Sequence, residues 1–288
     1  MIFLNFAFDI LKFTVKLCFR KFNNFKHPLR INFEKSHKSK CIILGNGPSL
    51  LKDFNEINNY DKDECDFFAV NFFAKTEAFY ELKPNNYFLA DRLFWSDDLN
   101  ADFEQLKNET YLKLLNIDWK INILCPESGY DYIKSRLSSN SNISFVKIPE
   151  ASISLFTKKM QLFLIGNRFF SISNVNSVVT LIWYSIICNY SSIYLYGIDF
   201  SGFKSINVDQ KTNYVSVDTK HFYKNSKAEE NSSYKYKSKP NKTLSHRLYQ
   251  NYRVFRYMDL LSELAISKGI DIVNRSSFSF VDSFKREN

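Results

Sequence analysis

The sequence is poor in glycine and has no paired cysteines. It contains 7 glycines beside 29 Phe and 17 Tyr in 288 residues, a composition that excludes a low-complexity or disordered chain. Its 5 cysteines are far apart and include no Cys-x-x-Cys pair, so neither a zinc site nor a disulfide framework is indicated. Most are expected to be small buried hydrophobic residues, and a reducing cytoplasm fits this usage best.

Positive charge is in excess. Lys and Arg total 39 against 30 Asp and Glu, a net charge of +9, which favours an anionic partner such as a nucleotide, nucleic acid or anionic lipid. The excess of Lys, Asn, Ile and Phe is also typical of AT-rich coding DNA, so charge is weak evidence. With 45% hydrophobic content, the chain is expected to form one domain with a sizeable core and some additional segments, rather than two equal domains.

Residues 1–40 differ from the rest of the chain. Polar residues recur at helical spacing between 2 and 19, at Asn5, Asp9, Lys12 and Lys16, which predicts an amphipathic helix. Its charges argue against a membrane span, and no signal-peptide cleavage site follows. The basic stretch up to Lys40 suits anionic headgroups, so we expect peripheral attachment to the inner face of a membrane. The alternative is that the helix packs on its own domain or on another subunit.

The most informative motif follows the first predicted strand, at 41–44, and reads Gly45-Asn46-Gly47-Pro48-Ser49. Its glycines allow a sharp turn and a close approach to a ligand, and Pro48 and Ser49 suit the start of a helix. Unpaired N–H groups and the helix dipole attract phosphate there. The motif lacks the third glycine of a dinucleotide fingerprint and the lysine of a P-loop. It therefore predicts a nucleotide site near Asn46, with an ordinary βα turn as the alternative.

Beyond residue 40, apolar runs alternate with helical or loop stretches. Strands are predicted at 41–44, 67–70, 87–89, 121–124, 143–146 and 193–195, and a last strand follows a helix over 249–268. This alternation predicts an α/β fold: a single Rossmann-like domain over 41–288 with a mostly parallel sheet and helices on both faces. Ligands in such folds bind beyond the carboxyl ends of the strands.

Polar side chains follow these strands. Asn46, Asn71 and Asp91 each end a predicted strand, and amide groups suit a pyrimidine edge or ribose hydroxyls. Asn176 and Ser177 open a buried helix over 177–187, a second candidate anion site. Capping of the following helix is the commoner task for a residue such as Asn in this position.

Three motifs in this order resemble the family 42 bacterial sialyltransferases and related surface-glycan glycosyltransferases. They are Ile43-Leu44-Gly45-Asn46-Gly47-Pro48-Ser49-Leu50, Val70-Asn71-Phe72 and Ile193-Tyr194-Leu195-Tyr196-Gly197-Ile198-Asp199-Phe200. The resemblance covers about residues 41–285. It implies a GT-A variant fold, a lid at about 201–245, and inverting transfer from a CMP-activated nonulosonic acid with neither metal nor other cofactor. No Asp-x-Asp stands at a predicted strand end, where metal-dependent GT-A enzymes would require it.

The resemblance also implies roles for single residues. Asn46, Asn71 and Asp91 match positions that hold cytidine, ribose or sugar, although the family has asparagine at Asp91. Asn176 and Ser177 match residues near the donor phosphate and carboxylate, and Asn174 replaces a nearby arginine. The expected donor site further includes Gly45, Gly47, Pro48, Ser49, Gly197 and Asp199.

Catalysis is expected from a tyrosine and a histidine. Tyr214 matches one of two family tyrosines that stabilise the departing phosphate, and Ser201 stands at the other position. A base must take the acceptor proton, and histidine has the most suitable pKa. His246 matches the family base by its place before the last long helix. His221 resembles a motif of the wider group and is slightly favoured, while a surface or capping role is the commoner one for a lone histidine.

The sequence thus predicts a cytoplasmic, membrane-associated glycosyltransferase that uses a nucleotide-sugar donor and a glycan or lipid-linked glycan acceptor. Nucleic acid is not an expected partner, and a homo-oligomer is compatible with the sequence. Two alternatives stay open. One is a pyrophosphokinase-like enzyme that binds a nucleoside triphosphate with magnesium, and the other is a non-catalytic nucleotide or nucleic-acid binder.

Overall fold

The computed structural model describes residues 37–150, 157–168, 171–172, 176–217, 222 and 243–287. They contain a seven-stranded sheet in which all neighbouring strands are parallel. The predicted α/β fold with a mostly parallel sheet is therefore confirmed, and it is compatible with a Rossmann-like fold. The helix predicted near the N-terminus lies outside the described residues.

The elements alternate along the chain. The sheet strands are β1 Lys40–Leu44, β2 Cys65–Val70, β3 Asn86–Phe88, β4 Ile121–Pro126, β5 Ile143–Ile148, β6 Ser192–Tyr196 and β9 Asp271–Asn274. The helices are α1 Leu50–Asn58, α2 Glu77–Leu82, α3 Ala101–Leu115, α4 Tyr130–Leu137, α5 Lys158–Gly166, α6 Ser177–Ile187 and α7 Leu244–Ser267. Short 3₁₀ helices span Asn71–Lys75, Arg92–Trp95 and Gly202–Ser205, and an antiparallel hairpin joins β7 Ile206–Val208 to β8 Val215–Val217.

The strand order reverses at β1. The chain proceeds from β1 through β2 to β5 on one side, and β6 and β9 are added on the other side. Neighbouring loops diverge at such a reversal and leave a crevice at the carboxyl ends of the strands. The Gly45 motif follows β1 directly and therefore lies at the switch point of the sheet.

Both faces of the sheet are buried. Alternating side chains of β1 enter different clusters, with Ile43 packed in a core that includes α6 and α7, and Ile42 in a core that includes α1 to α4. Helix α6 is apolar around its whole circumference, and 10 of its 11 residues are buried. Such a helix is stable only inside a core, so its N-terminus is held in a fixed position.

The predicted strands and the 177–187 helix are present, but the last long helix begins at Leu244 rather than at 249. Thr243 is its N-cap, and its Oγ1 accepts a hydrogen bond from the His246 N–H at 3.3 Å. The expectation that His246 precedes this helix is therefore wrong, because the polar first turn is capped and helical.

The end of the basic N-terminal stretch belongs to the folded domain. Strand β1 starts at Lys40, whose Nζ lies 3.3 Å from Glu64, and the Lys38 Nζ lies 3.3 Å from buried Asp66. These two lysines of the basic stretch therefore pair with carboxylates of the folded domain. No helix within the described ranges is long and apolar enough to cross a membrane.

Cys41, Cys65 and Cys125 are free and buried, as predicted for small hydrophobic residues. Burial raises the pKa of all three thiols.

Candidate functional site

Two adjoining cavities open at the carboxyl edge of the sheet. The larger, of about 680 Å³, lies at the switch point between the loops after β1, β2 and β6, the start of α6 and one side of α7. The smaller, of about 450 Å³, lies beside it over the ends of β3 and β5. Asn71, Asn176 and Ser177 line both cavities. A ligand with two parts has room for one part on each side of these residues.

The two glycine motifs pack directly on each other. The N–H groups of Gly45 and Gly47 donate to the carbonyls of Tyr196 (2.8 Å) and Gly197 (2.9 Å). A Cβ on Gly45 would lie 2.3 Å from the Gly197 carbonyl oxygen, and one on Gly47 would lie 2.1 Å from Asp199 Oδ1. Glycine is therefore required by the neighbouring loop. The expectation that these glycines make room chiefly for a ligand overlooked that contact, although Gly45, Gly47 and Gly197 also line the larger cavity.

Ser49 and Asp199 complete this contact, which we call the glycine clamp (residues 45–49 with 197–199). The Ser49 hydroxyl donates to Asp199 Oδ1 at 2.5 Å and its N–H donates to Oδ2 at 3.1 Å, with both residues buried. Burial raises the pKa of Asp199, and the hydrogen bonds from Ser49 oppose that rise. Pro48 and Ser49 are not among the described residues that line the larger cavity. Asp199 lines it with its carboxylate already engaged.

The amides after β1 and β2 tie neighbouring strand ends together. Asn46 Nδ2 donates to the Val70 carbonyl at 3.2 Å. Asn71 has a φ of +51°, a left-handed conformation that asparagine tolerates better than most residues. Its Oδ1 accepts from the N–H groups of Ala90 (2.9 Å) and Asp91 (3.3 Å). The buried Tyr87 hydroxyl donates to the Asn71 carbonyl and fixes the turn from beneath.

Asp91 and Asn176 act as caps, as the alternative interpretation allowed. An Asp91 oxygen accepts from the Leu93 N–H at 3.2 Å, and Asn176 Oδ1 accepts from the Val178 N–H at 2.8 Å. Each nevertheless lines a cavity: Asp91 the smaller one and Asn176 both. Capping through one oxygen therefore orients both side chains.

Several hydrogen-bond donors lie at the start of α6. Within the described part of the chain, the Nδ2 groups of Asn71 and Asn176 and the hydroxyl of Ser177 have no hydrogen-bond partner. The unpaired N–H groups and positive dipole end of α6 lie at the same place. Two side-chain amides, one hydroxyl and the backbone N–H groups of α6 therefore lie at the boundary between the two cavities.

Helix α7 adds positive charge to the larger cavity through Arg247 and Arg253, and it also brings the amides of Gln250 and Asn251. The Arg247 Nε is buried and has no hydrogen-bond partner among the described residues. Burial lowers the pKa of this guanidinium, and nearby Tyr214 opposes that effect. We call Asn71, Asn176, Ser177 and Arg247 the polar wall.

The α7 residues were not predicted, although a signal for them exists. Buried Val254, Met258 and Leu261 form one stripe of this helix, and residues 247, 250 and 251 continue it toward the N-terminus. When the residues on the core-facing side of a helix change from apolar to polar along its length, the polar part is expected to line a cavity and not the core.

The structure describes two of the three expected catalytic residues, Tyr214 and His246. His221 is outside the described residues, as is Asn174, but Phe222 directly follows His221 in the sequence. The Phe222 N–H donates to the Asn46 carbonyl at 3.1 Å, and its ring packs on Phe73 with centroids 5.5 Å apart. The residue after His221 is thus bonded to the loop at the switch point.

His246 lies in the first turn of α7, where its Nε2 is 3.4 Å from the Nε2 of Gln250. Gln250 lines the larger cavity, whereas neither His246 nor Tyr214 is among the described lining residues. Tyr214 precedes β8, close enough to Arg247 to affect its pKa. Ser201, at the second expected tyrosine position, lines the larger cavity.

The structure shows a parallel α/β protein with a polar cavity at its switch point, lined by Arg247 and Arg253 among others. No family model matches the chain, and no curated protein matches it. The resemblance to family 42 sialyltransferases therefore depends on the sequence motifs. Among the described residues, no three His, Cys, Asp or Glu side chains come together as metal ligands.

Proposed function

We propose that the protein is an inverting glycosyltransferase that transfers a nonulosonic acid from a CMP-sugar to a cell-surface glycan or lipid-linked glycan. The observation that carries the proposal is the larger cavity at the switch point, which is lined by the N-terminus of α6, amide side chains and two arginines. These groups match a ligand that combines a pyrimidine and ribose with one phosphate and one carboxylate.

In this proposal, the cytidine and ribose lie over the loops of Asn46 and Asn71. The phosphate lies at Asn176 and Ser177, where the helix dipole and unpaired donors favour an anion. Arg247, on α7, holds the phosphate or the sugar carboxylate. A monophosphate carries less charge than a diphosphate, so these groups are sufficient without a divalent cation.

The chemical step joins the acceptor to the anomeric carbon of the donor. A histidine takes the proton of the acceptor hydroxyl as its oxygen bonds to that carbon, and the bond from the carbon to the phosphate oxygen breaks with inversion. CMP leaves, and Tyr214 stabilises its charge. His221 remains the favoured base because its sequence neighbour Phe222 is bonded to Asn46.

A ligand-binding experiment separates this function from its alternatives. CMP in the presence of EDTA should raise the melting temperature, because a ligand that binds only the folded state stabilises it. ATP with magnesium would do so instead if the protein were pyrophosphokinase-like. A response to neither nucleotide would contradict both enzyme proposals and favour a non-catalytic binder.

The base is tested by His221→Ala and His246→Ala, with His37→Ala as the control because His37 is exposed at the start of the described domain. Turnover should fall by about 10² or more in the variant that lacks the base, while CMP still raises its melting temperature. Full turnover in both variants would contradict a histidine base.

The N-terminal residues 1–40 complete the proposal as a peripheral anchor to the cytoplasmic face of the inner membrane. Deletion of 1–19 should abolish co-sedimentation with anionic vesicles and leave the CMP response intact, because the amphipathic helix supplies the apolar contact with the lipid. Undiminished co-sedimentation would place the membrane contact elsewhere.

A further inference from the structure

One loop supplies a large part of the larger cavity. Residues 197–202 follow β6 and all line this cavity, and we call them the β6 loop. Two of them have a left-handed backbone conformation, Gly197 with a φ of +64° and Phe200 with a φ of +47°. Glycine adopts such a φ freely, but for a bulky residue such as phenylalanine it costs free energy. Contacts with the surrounding protein must therefore hold the β6 loop in this conformation.

The segment after β9 makes contacts of this kind with the backbone of the β6 loop. The Ser276 Oγ accepts from the Ile198 N–H at 3.0 Å, and the Ser279 hydroxyl donates to the Ile198 carbonyl at 2.6 Å. The Phe280 N–H donates to the Asp199 carbonyl at 3.0 Å. Three backbone groups of two consecutive loop residues are thus bonded to one segment of the chain.

This segment, residues 274–280, is called the C-terminal brace below. None of its residues is among the described residues that line either cavity. A ligand in the larger cavity contacts the β6 loop, so the C-terminal brace acts on that ligand through the position of the loop.

The C-terminal brace is itself held in one conformation by Asn274, the buried last residue of β9. Its Oδ1 accepts from the Ser276 N–H at 3.2 Å, and its Nδ2 donates to the Ser279 Oγ at 3.0 Å. The Ser279 Oγ also accepts from the Val281 N–H at 3.0 Å. Both acceptor positions of this hydroxyl are therefore filled, and its proton is directed to the Ile198 carbonyl. A network satisfied in this way is rigid.

Aromatic rings connect the same loop to α7. The Phe200 ring packs on Phe255 of α7, with centroids 6.2 Å apart. Phe203 packs on Phe255 at 6.0 Å and on Phe280 of the C-terminal brace at 5.0 Å. The position of the β6 loop is therefore fixed relative to α7, the helix that carries Arg247.

Ser49 holds the β6 loop in a different way. Its hydroxyl and N–H bond to the Asp199 carboxylate, so the N–H bond stays when the hydroxyl is removed. The C-terminal brace instead bonds to the loop backbone directly before Phe200. The brace, and not the Ser49 hydroxyl, is therefore the contact that sets the backbone conformation of the loop.

We infer that Ser276 and Ser279 are positioning residues of the ligand site, which hold the β6 loop in the strained conformation that receives the nucleotide. The identification of this nucleotide as CMP rests on the proposed function. Without these hydroxyls, Phe200 can relax to a negative φ. A nucleotide then binds only the fraction of molecules that keep the competent loop conformation, and its apparent affinity falls.

The test compares full-length wild type with Ser276→Ala and Ser279→Ala. Hydrogen–deuterium exchange of the backbone amides in 198–203, measured without ligand, should become faster in both variants. CMP affinity, measured by isothermal titration calorimetry well below the melting temperature, should fall about tenfold, as expected when about one molecule in ten keeps the competent loop. Unchanged exchange in both variants would overturn the inference.

Two further variants separate positioning from a general loss of stability. Ser279→Thr keeps the hydroxyl, so it should restore both slow exchange and CMP affinity. Ser283→Ala is the matched control, because its hydroxyl donates to Asp259 of α7 at 2.6 Å and makes no contact with the β6 loop among the described residues. Alanine variants that lose stability but keep the CMP affinity of wild type would have lost a merely structural contact, which would refute the inference.

The same samples keep this inference apart from the proposed function. Wild-type protein that fails to bind CMP would refute the proposed donor, while faster exchange in the alanine variants would still support the hold of the C-terminal brace on the loop. CMP binding that is equally tight in wild type, Ser276→Ala and Ser279→Ala would refute only this inference.

Discussion

The glycine clamp and the polar wall face the same cavity but use their polar groups in opposite ways. In the clamp, the Gly45 N–H bonds to the last residue of β6, and the Gly47 N–H and the Ser49 hydroxyl bond to the loop after it. In the polar wall, donors of Asn71, Asn176, Ser177 and Arg247 have no partner among the described residues. The most recognisable motif of the sequence, at residues 45–49, therefore holds two loops of the protein together. The donors without a protein partner lie in segments that contain no glycine motif.

This difference has a physical reason. The clamp holds β1 against β6 at the point where the strand order reverses, and a loose joint there would move both walls of the cavity. Its polar groups therefore have to be satisfied within the protein, because an unpaired buried donor costs about 1–3 kcal/mol. In a ligand site, donors can stay unpaired in the free protein because a bound ligand supplies their hydrogen-bond partners.

The largest effect is expected in the clamp, from Gly45→Ala. The new Cβ would lie 2.3 Å from the Gly197 carbonyl oxygen, and because both loops are held by backbone hydrogen bonds, neither can move away cheaply. We expect the free energy of unfolding in urea to fall by about 3 kcal/mol or more. Gly202→Ala is the matched control, since a Cβ there meets no atom within 4 Å. Equal stability of the two variants would show that the loops are not clamped.

The next effect is expected in the polar wall, from Arg247→Gln. Loss of a charge-assisted contact should weaken CMP binding by roughly 10-fold to 100-fold. Stability should be unchanged or slightly higher, because the Arg247 Nε is buried without a partner among the described residues. The affinity is measured by isothermal titration calorimetry and the stability in urea.

Arg256→Gln is the control for this variant. Arg256 lies on the same helix, and its Nη2 is 3.3 Å from Gln161 of α5, so CMP affinity should stay at the wild-type level. A loss of CMP affinity as large as that of Arg247→Gln would mean that general positive charge, and not the polar wall, attracts the nucleotide.

Much of the fold was predictable from local pattern. Strands β1 to β6 are apolar runs bounded by turn residues, and α6 is an apolar segment that follows the cap Asn176. The start of α7 was not predictable in this way. Its first turns are polar and read as loop, and only the cap at Thr243 marks where the helix begins.

The candidate site was predictable only in part. The strand-end amides Asn46 and Asn71 were found because parallel strands end at one edge, and both line the larger cavity. The bond between Ser49 and Asp199 joins residues 150 positions apart, and no local pattern predicts such a pair. Trp95 was missed for a related reason. An aromatic residue beside a strand usually packs in the core. Trp95 lines the smaller cavity, whose other walls include Ser128 after β4 and Glu150 after β5, and these lie far from Trp95 in the sequence.

The smallest effect is expected from Ser49→Ala, which separates two interpretations of this residue. The motif predicted that Ser49 contacts the nucleotide-sugar donor, whereas in the structure Ser49 is buried in the clamp. Ser49→Ala removes the 2.5 Å hydrogen bond to Asp199. We expect a loss of about 2 kcal/mol in the free energy of unfolding near neutral pH and no change in CMP affinity. Lower CMP affinity with unchanged stability would instead make Ser49 a ligand-binding residue.

The pH dependence of that loss identifies the partner. Burial raises the pKa of Asp199 above its ordinary value, so this carboxyl favours folding most below the pH at which it ionises in the unfolded chain. That contribution is lost as the pH rises through the folded-state pKa. Because the Ser49 hydrogen bond lowers this pKa, its removal raises it further, and the variant loses more stability as Asp199 ionises. The difference in unfolding free energy between wild type and Ser49→Ala should therefore widen from about pH 4 to about pH 7. A constant difference would mean that the hydroxyl acts on the clamp through packing and not through the Asp199 carboxylate.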